Sequence, residues 1–546
     1  MSTPDDDNSD SGWRIPWLGE SLWWRWAALI GVLAAATLLI VVVIWAAHRS
    51  GPAPVANEAP IASADNTPPS DTAGIETISC WFSVPAERDA QCGVLKVPEQ
   101  WGAERSRMLR LRFVVFRGTD SAAIEPLVYL AGGPGEPAAI DEASIARWWD
   151  WIARAKWLSK RDLVVFDYRG AGLSEPAMNC PELAETAYRV YGETRGVEQA
   201  NEVWSAAVAQ CRDRLRASGI DLGDYTTEAI VADLHSLLEQ LGYQSWDFLA
   251  VSYGTRVALS FIDRWPEGTR AVILDSVYPP NSNAYVESGR AAANAFAALF
   301  KECDKDRACH AAFPTLAETF DDVLRRAAAT PLAVSLGAPE NRLLHLDAAK
   351  LTDVLLTAFY GWRAIAELPA TIAALGAGDT RPLQPLALRM LDTYVSPRVS
   401  HGLFFSVECH DEYPFNARDA VERAAIELPL YRDFILSNLP LAVCPSWPVG
   451  EVDAPRAPSR PNATPVLMLS GELDGITPRD WATLAARNLP NATRLVFRGV
   501  GHGVLEAHDC AGLIAARFLD DPGRPPFDDC LLAMGSPQFR VPPRHR

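Results

Sequence analysis

Ser252 lies in Ala250-Val251-Ser252-Tyr253-Gly254, with small residues two places before and two places after a hydroxyl. Residues 246–251 read as a strand and 255–264 as a helix. Small neighbours permit the sharp strand-to-helix turn that lifts a serine hydroxyl out of a sheet. A glycine is usual at the position of Ala250, and alanine is small enough to replace it. A serine is a weak nucleophile without a base, and the base needs an acid to orient it. Among nine histidines, His502 is the best placed: it lies in Gly501-His502-Gly503 after an apolar run at 494–497. Glycines on both sides let a loop carry the imidazole into a site without bulk. His508, His410 and His401 are weaker candidates. Asp474, in Gly471-Glu472-Leu473-Asp474-Gly475 after an apolar run at 466–469, is the expected acid. Asp275, ending the run at 272–274, is its rival, and Glu472 comes third. Gly132-Gly133-Pro134-Gly135 follows a strand at 127–130. Backbone N–H groups there can stabilise a tetrahedral oxyanion, and losing one such donor costs about 10²–10³ in rate. Gly133 and Tyr253 are the candidate donors.

These residues need a scaffold, and the surrounding pattern supplies one. Short apolar runs at 109–116, 127–130, 162–166, 246–251, 271–274 and 466–469 alternate with helical spacing at 227–241 and 255–264. Such alternation predicts a mostly parallel sheet with helices on both faces. Gly242 is placed to cap the helix at 227–241. Between about 280 and 462 the alternation stops, and helices at 291–300, 316–328 and 348–360 suggest an inserted helical lid. The expected segments are a polar tail at 1–22, a membrane anchor at 23–48 and a Pro/Ala/Ser-rich linker at 49–75. A first core part at 76–280, the lid at 281–461 and a second core part at 462–546 follow.

Residues 26–47 carry no charge and would span about 33 Å as a helix, enough for a bilayer. Trp23, Trp24, Trp26 and Trp45 flank or end that run as interfacial anchors would. Its length favours an uncleaved signal anchor over a cleavable signal peptide. All ten cysteines lie beyond it. An even set on one side of a membrane predicts disulfides in an oxidising compartment, most simply in sequential pairs. The catalytic body is therefore expected on the extracytoplasmic side. The chain of 546 residues has 50 Lys and Arg against 68 Asp and Glu, a net charge of −18. This balance, with no basic run, excludes a nucleic-acid partner, which needs a positive surface.

Together, Gly132 to Gly135, the 167–174 stretch Asp-Tyr-Arg-Gly-Ala-Gly-Leu-Ser, the Ser-Tyr-Gly elbow, the 473–478 stretch Leu-Asp-Gly-Ile-Thr-Pro and Gly501-His502-Gly503 form a pattern. It resembles the prolyl and tripeptidyl aminopeptidase family of α/β-hydrolases, over about residues 78–532. It is most similar to the secreted tripeptidyl branch, as are Cys303 and Cys309 before Phe313-Pro314. The prolyl branch has a histidine where Ala131 stands here. The resemblance implies a serine exopeptidase that acts on peptides with a free N-terminus and needs no metal or organic cofactor. It implies that Asp167 and Arg169 brace a loop beside the site. An anionic pocket for the substrate ammonium is then required. Glu408, Asp411 and Glu412, in a stretch similar to an acidic one of the family, are the candidates; which of them points inward is open, and a solvated charge cluster is the alternative. An esterase or lipase with the same triad, or a catalytically silent binding protein of the envelope, are the competing functions.

Overall fold

The computed structural model describes residues 73–119, 125–450, 461–527 and 529–542. The expected anchor lies outside them. Among the described residues no helix is long and apolar enough to cross a membrane.

Nine strands form one sheet: β1 (Gly74–Ile78), β2 (Ala90–Pro98), β3 (Met108–Phe116), β4 (Leu127–Leu130), β5 (Leu163–Phe166), β6 (Trp246–Val251), β7 (Thr269–Asp275), and, after a long insertion, β10 (Val466–Gly471) and β11 (Ala492–Phe497). Their order is β1-β2-β3-β5-β4-β6-β7-β10-β11. The pairings from β5 to β11 are parallel, and those joining β1, β2, β3 and β5 are antiparallel. β5 and β10 are buried at every position, as strands covered on both faces must be. The helix Thr227–Leu241 is capped by the Thr226 hydroxyl, which accepts from Ala229 N–H at 3.2 Å, and ends at Gly242 with φ 78°. These are the start and stop signals that its sequence carries.

Three elements differ from the sequence expectation. β1 begins at Gly74, inside the segment read as linker, because Ile75 and Ile78 pair along β2. Two helices, Glu182–Gly192 and Val197–Ala217, leave the sheet after β5 and pack on the insertion. There Lys350 Nζ donates to Val190 O at 2.7 Å and Arg342 pairs with Glu185. The insertion itself, between β7 and β10, is helical except for a hairpin of β8 (Leu332–Ser335) and β9 (Leu343–Leu346). All ten cysteines are paired as the sequential reading expects: 80–92, 180–211, 303–309, 409–444 and 510–530.

Candidate active site

The C-terminal ends of β4, β6, β7, β10 and β11 meet at one edge of the sheet, where open parallel sheets place their ligands. Ser252 ends β6 with φ 54° and ψ −123° and begins the helix Tyr253–Arg264. A non-glycine residue with positive φ is strained, at a cost of about 1–3 kcal/mol, and persists only where its surroundings dictate it. Here they do. Ser252 N–H donates to Asp275 O at 2.9 Å. A Cβ on Gly254 would stand 2.2 Å from Leu130 O, so only glycine lets this turn close against β4. Ala250 pairs with Leu130 and Leu274 on either side, and its Cβ is accommodated in the sheet.

The Gly-rich loop leaves β4 beside this turn. A Cβ built on Gly132 would lie 3.3 Å from Ser252 Cβ. Gly133 has φ 111° and precedes a cis peptide to Pro134. Tyr253 opens its helix, so its N–H has no acceptor within the helix. Its side chain is buried and shares a 2.8 Å hydrogen bond with Thr227 Oγ1. Gly135 ties the loop to the insertion: its carbonyl accepts from Ser400 N–H at 2.8 Å. Asp167 accepts from Ala138 N–H at 2.7 Å and Leu173 N–H at 2.8 Å, joining the loop after β5 to the chain just past the Gly-rich turn. Burial pushes its carboxyl up to about 6. Arg169 is further back, locked between Asp233 and the carbonyls of Glu99 and Asp224.

Asp474 lies three residues beyond β10. Its Oδ1 accepts from Ile476 and Thr477 N–H, both at 2.9 Å, and its Oδ2 from Thr477 Oγ1 at 2.8 Å. His502 Nδ1 stands 3.0 Å from Oδ2 and 3.2 Å from Oδ1. Both side chains are buried. Burial alone would raise the Asp474 pKa, but His502 and the Thr477 donors outweigh it and hold it below its ordinary value. For His502, burial disfavours the charged form, yet Asp474, with Asp275 and Glu136 behind it, lifts the imidazole above its ordinary 6.5. An ionised carboxylate only accepts, so Nδ1 carries the ring hydrogen and Nε2 is left as the basic nitrogen.

The rival acid has another task. Asp275 Oδ1 accepts from Val504 N–H and Oδ2 from Leu505 N–H, each at 2.8 Å, and Gly503 N–H donates to Ser276 Oγ at 2.9 Å. Asp275 thus brackets the serine turn, through its carbonyl, and the histidine loop, through its carboxylate. Glu472 accepts from Gly499 N–H. Of the other histidines, His508 accepts from Cys510 N–H, His401 bonds Thr393 O, and His410 bonds Asp411.

The three acids read as an ammonium pocket each have a partner inside the protein. The helix His401–Asp411 turns its acids into the protein. Glu412 is buried against Arg256 and accepts from Ala284 N–H and Asn416 Nδ2, both at 2.8 Å. Glu408 accepts from Tyr285 Oη at 2.5 Å, and burial pushes its carboxyl up to about 7. Asp411 accepts from Thr227 N–H at 2.9 Å and beside His410 is held below its ordinary value. Asp411 faces a cavity of about 400 Å³ that none of Ser252, Asp474, His502 and Gly133 lines. Asp411 and Glu412 tie the insertion to the core, through Thr227 and Arg256, while Glu408 bonds within the insertion. Sequence reasoning also passed over Glu136, which directly follows the Gly-rich loop; its Oε2 lies 3.9 Å from the Cβ position of Gly132. Among the described residues, one group of metal-ligating side chains is close enough to hold an ion, Cys180, Glu182 and Cys211, and its two sulfurs are bonded to each other.

Comparison with known proteins fits this geometry. The model of the alpha/beta hydrolase fold matches residues 125–349, and that of TAP-like proteins matches residues 430–530. Serine protease Hip1 of Mycobacterium tuberculosis is 26% identical over 465 residues, which cover 80% of this chain and 86% of that protein. Tripeptidyl aminopeptidase of Streptomyces lividans is 27% identical over 463 residues, 79% of this chain and 81% of that one. Carboxylesterase B of M. tuberculosis is 26% identical over 456 residues, 80% and 86% of the two chains.

Proposed function

We propose that this chain, which has the α/β-hydrolase fold and matches the TAP-like model in its C-terminal part, is a serine exopeptidase that cleaves peptides near a free N-terminus. The observation that carries this reading is the pairing of a strained serine turn, beside a Gly-rich loop, with a buried Asp474–His502 couple. Ser252 Oγ attacks the scissile carbonyl carbon. His502 Nε2 takes the serine proton, while its Nδ1–H stays bonded to Asp474, which stabilises the imidazolium. The carbonyl electrons move onto oxygen, and the N–H groups of Gly133 and Tyr253 receive that oxyanion. On collapse the C–N bond breaks and His502 gives its proton to the leaving amine. Water, deprotonated by the same imidazole, then hydrolyses the acyl-enzyme.

The insertion closes over this edge of the sheet as a lid, a role supported by the Gly135–Ser400 tie. The body works in an oxidising, extracytoplasmic compartment, a placement supported by the five disulfides. Residues 26–47 anchor it to the membrane, a reading that rests on their sequence alone. An esterase is the second reading, favoured by the similarity to carboxylesterase B.

The test compares the chain with Ser252→Ala on matched fluorogenic peptides, free or N-acetylated, and on short-chain esters. Serine-dependent turnover of the free peptides is expected. Turnover of esters with no peptide cleaved would sink the peptidase reading.

A further inference from the structure

A cavity of about 400 Å³ opens between the Gly-rich loop and the insertion, lined by Gly133, Glu136, Tyr191, Trp204, Asp353 and Phe404 among others. On one side lies the Gly-rich loop, with Gly133, one of the two proposed oxyanion donors. One wall is aromatic: the rings of Trp204 and Tyr394 lie 4.8 Å apart, and Tyr394 stacks on His401 at 6.2 Å. The cations that line it are spoken for. Lys350 donates to the carbonyls of Val190, Glu193 and His345, and Arg195 pairs with Glu193. Of the carboxylates, Asp347 accepts from Lys350 N–H at 3.0 Å, and the other two are less engaged. Glu136 is accessible through the cavity and, among the described residues, takes part in no hydrogen bond or ion pair that would neutralise it. Asp353 has one bond, from Tyr191 Oη at 3.4 Å.

We propose that Glu136, with Asp353 as a second carboxylate of the same cavity, receives the α-ammonium of the substrate, and that the aromatic wall takes apolar side chains next to it. This inference rests on the peptidase reading above. It places the discrimination between free and blocked N-termini on the loop beside Ser252 rather than on the acids of the His401–Asp411 helix. The charge logic is local. A bare carboxylate so near Gly132 opposes the negative charge that develops on the oxyanion. A substrate ammonium seated against it cancels that field, so a free peptide gains in binding and also in turnover. The protein around Glu136 raises its carboxyl above the ordinary value by desolvation, with His502 and Arg389 working against that. Burial likewise pushes Asp353 up to about 7.

The test is the ratio of kcat/KM for a free peptide over its N-acetylated twin, measured on the full chain and on Glu136→Gln, Glu136→Asp and Asp353→Asn. Thermal melts establish that each variant is folded. Glu136→Gln is expected to lower the ratio about 10- to 100-fold, the worth of one charge-assisted hydrogen bond. Glu136→Asp should restore part of the loss, which a merely structural role would not give. Asp353→Asn should lower the ratio less. If peptides are cleaved and the ratio is unmoved in Glu136→Gln, or only Asp353→Asn moves it, the inference fails and the peptidase reading stands. If the parent chain cleaves only esters, both fail together.

Discussion

Of the carboxylates that influence His502, Asp474 and Asp275 are the rival readings for its orienting acid, and replacing each by asparagine separates their roles. In Asp474→Asn the amide oxygen is held by the Ile476 and Thr477 N–H groups, which bond Oδ1 at 2.9 Å. The NH₂ group then takes the place of Oδ2 and points at His502 Nδ1, now 3.0 Å from Oδ2. Thr477 Oγ1 can rotate its hydrogen away, but Nδ1 must become an acceptor. The ring proton moves to Nε2, the nitrogen that should accept from Ser252. The equivalent substitution in a serine-protease triad lowers kcat about 10⁴-fold, or about 5.4 kcal/mol of barrier. Asp474 touches no substrate in this scheme, so KM should stay within about twofold. The fold should survive, because the change removes a buried charge and keeps its shape. Asp275→Asn instead weakens one of two backbone bonds, to Val504 or Leu505. It should lower the melting temperature and reduce kcat less than about tenfold. The assay is steady-state hydrolysis of a free peptide by both variants, with melts in parallel. Asp474→Asn keeping more than a tenth of kcat, or Asp275→Asn losing 10³-fold, would refute the assignment of the acid.

Two further outcomes are expected. The base must be neutral to accept a proton, and His502 is lifted above its ordinary 6.5 by Asp474, Asp275 and Glu136 against the opposing effect of burial. Activity should therefore fall as pH drops through a value above 6.5, and a kcat/KM profile with its acid limb below 6 would contradict the couple. Glu412→Gln leaves the buried Arg256 without its carboxylate, and breaking such a pair costs about 3–5 kcal/mol. A clear loss of melting temperature should follow, with no change in the free-over-acetylated ratio of the folded enzyme; a collapse of that ratio would return the ammonium site to the insertion helix.

Much of this architecture can be read from the residues alone, for identifiable reasons. Strand β4 is a continuous apolar run and β6 is apolar but for Asp247, and the bounds of both match the reading residue for residue. The helix Thr227–Leu241 carries its own cap residues at both ends. Ser252, Asp474 and His502 each follow a strand, so chain order and loop chemistry locate them before any contact is known. Other elements leave weaker traces. β1 has no fully buried residue, and its pattern of two isoleucines among polar residues is short. The helices Glu182–Gly192 and Val197–Ala217 bury only one face each, against an insertion far away in sequence. The partners of the insertion's acids were hidden for a related reason. Charge clustered along the chain suggests a shared pocket, but Glu408 and Glu412 are one helical turn apart and meet Tyr285 and Arg256, while Asp411 turns to Thr227. Glu136 offered a local sign, a carboxylate directly after the Gly-rich turn.

The ties between core and insertion bear on how the enzyme can be re-engineered. Ser400 N–H bonds Gly135 O in the Gly-rich loop, and His502 N–H bonds Phe359 O at 2.8 Å. A Cβ on Gly501 would stand 2.0 Å from that same carbonyl, so the histidine loop is moulded to one particular backbone. The Gly-rich loop and the histidine loop, the two halves of the proposed catalytic apparatus, are thus clasped by different parts of the insertion. Swapping the insertion for that of another hydrolase, a common route to new selectivity, would pull out two moorings of the machinery with it. Chimeras that keep residues 359 and 400 in register should be the ones that stay active, and new selectivity is better sought by changing side chains within the insertion than by exchanging it whole.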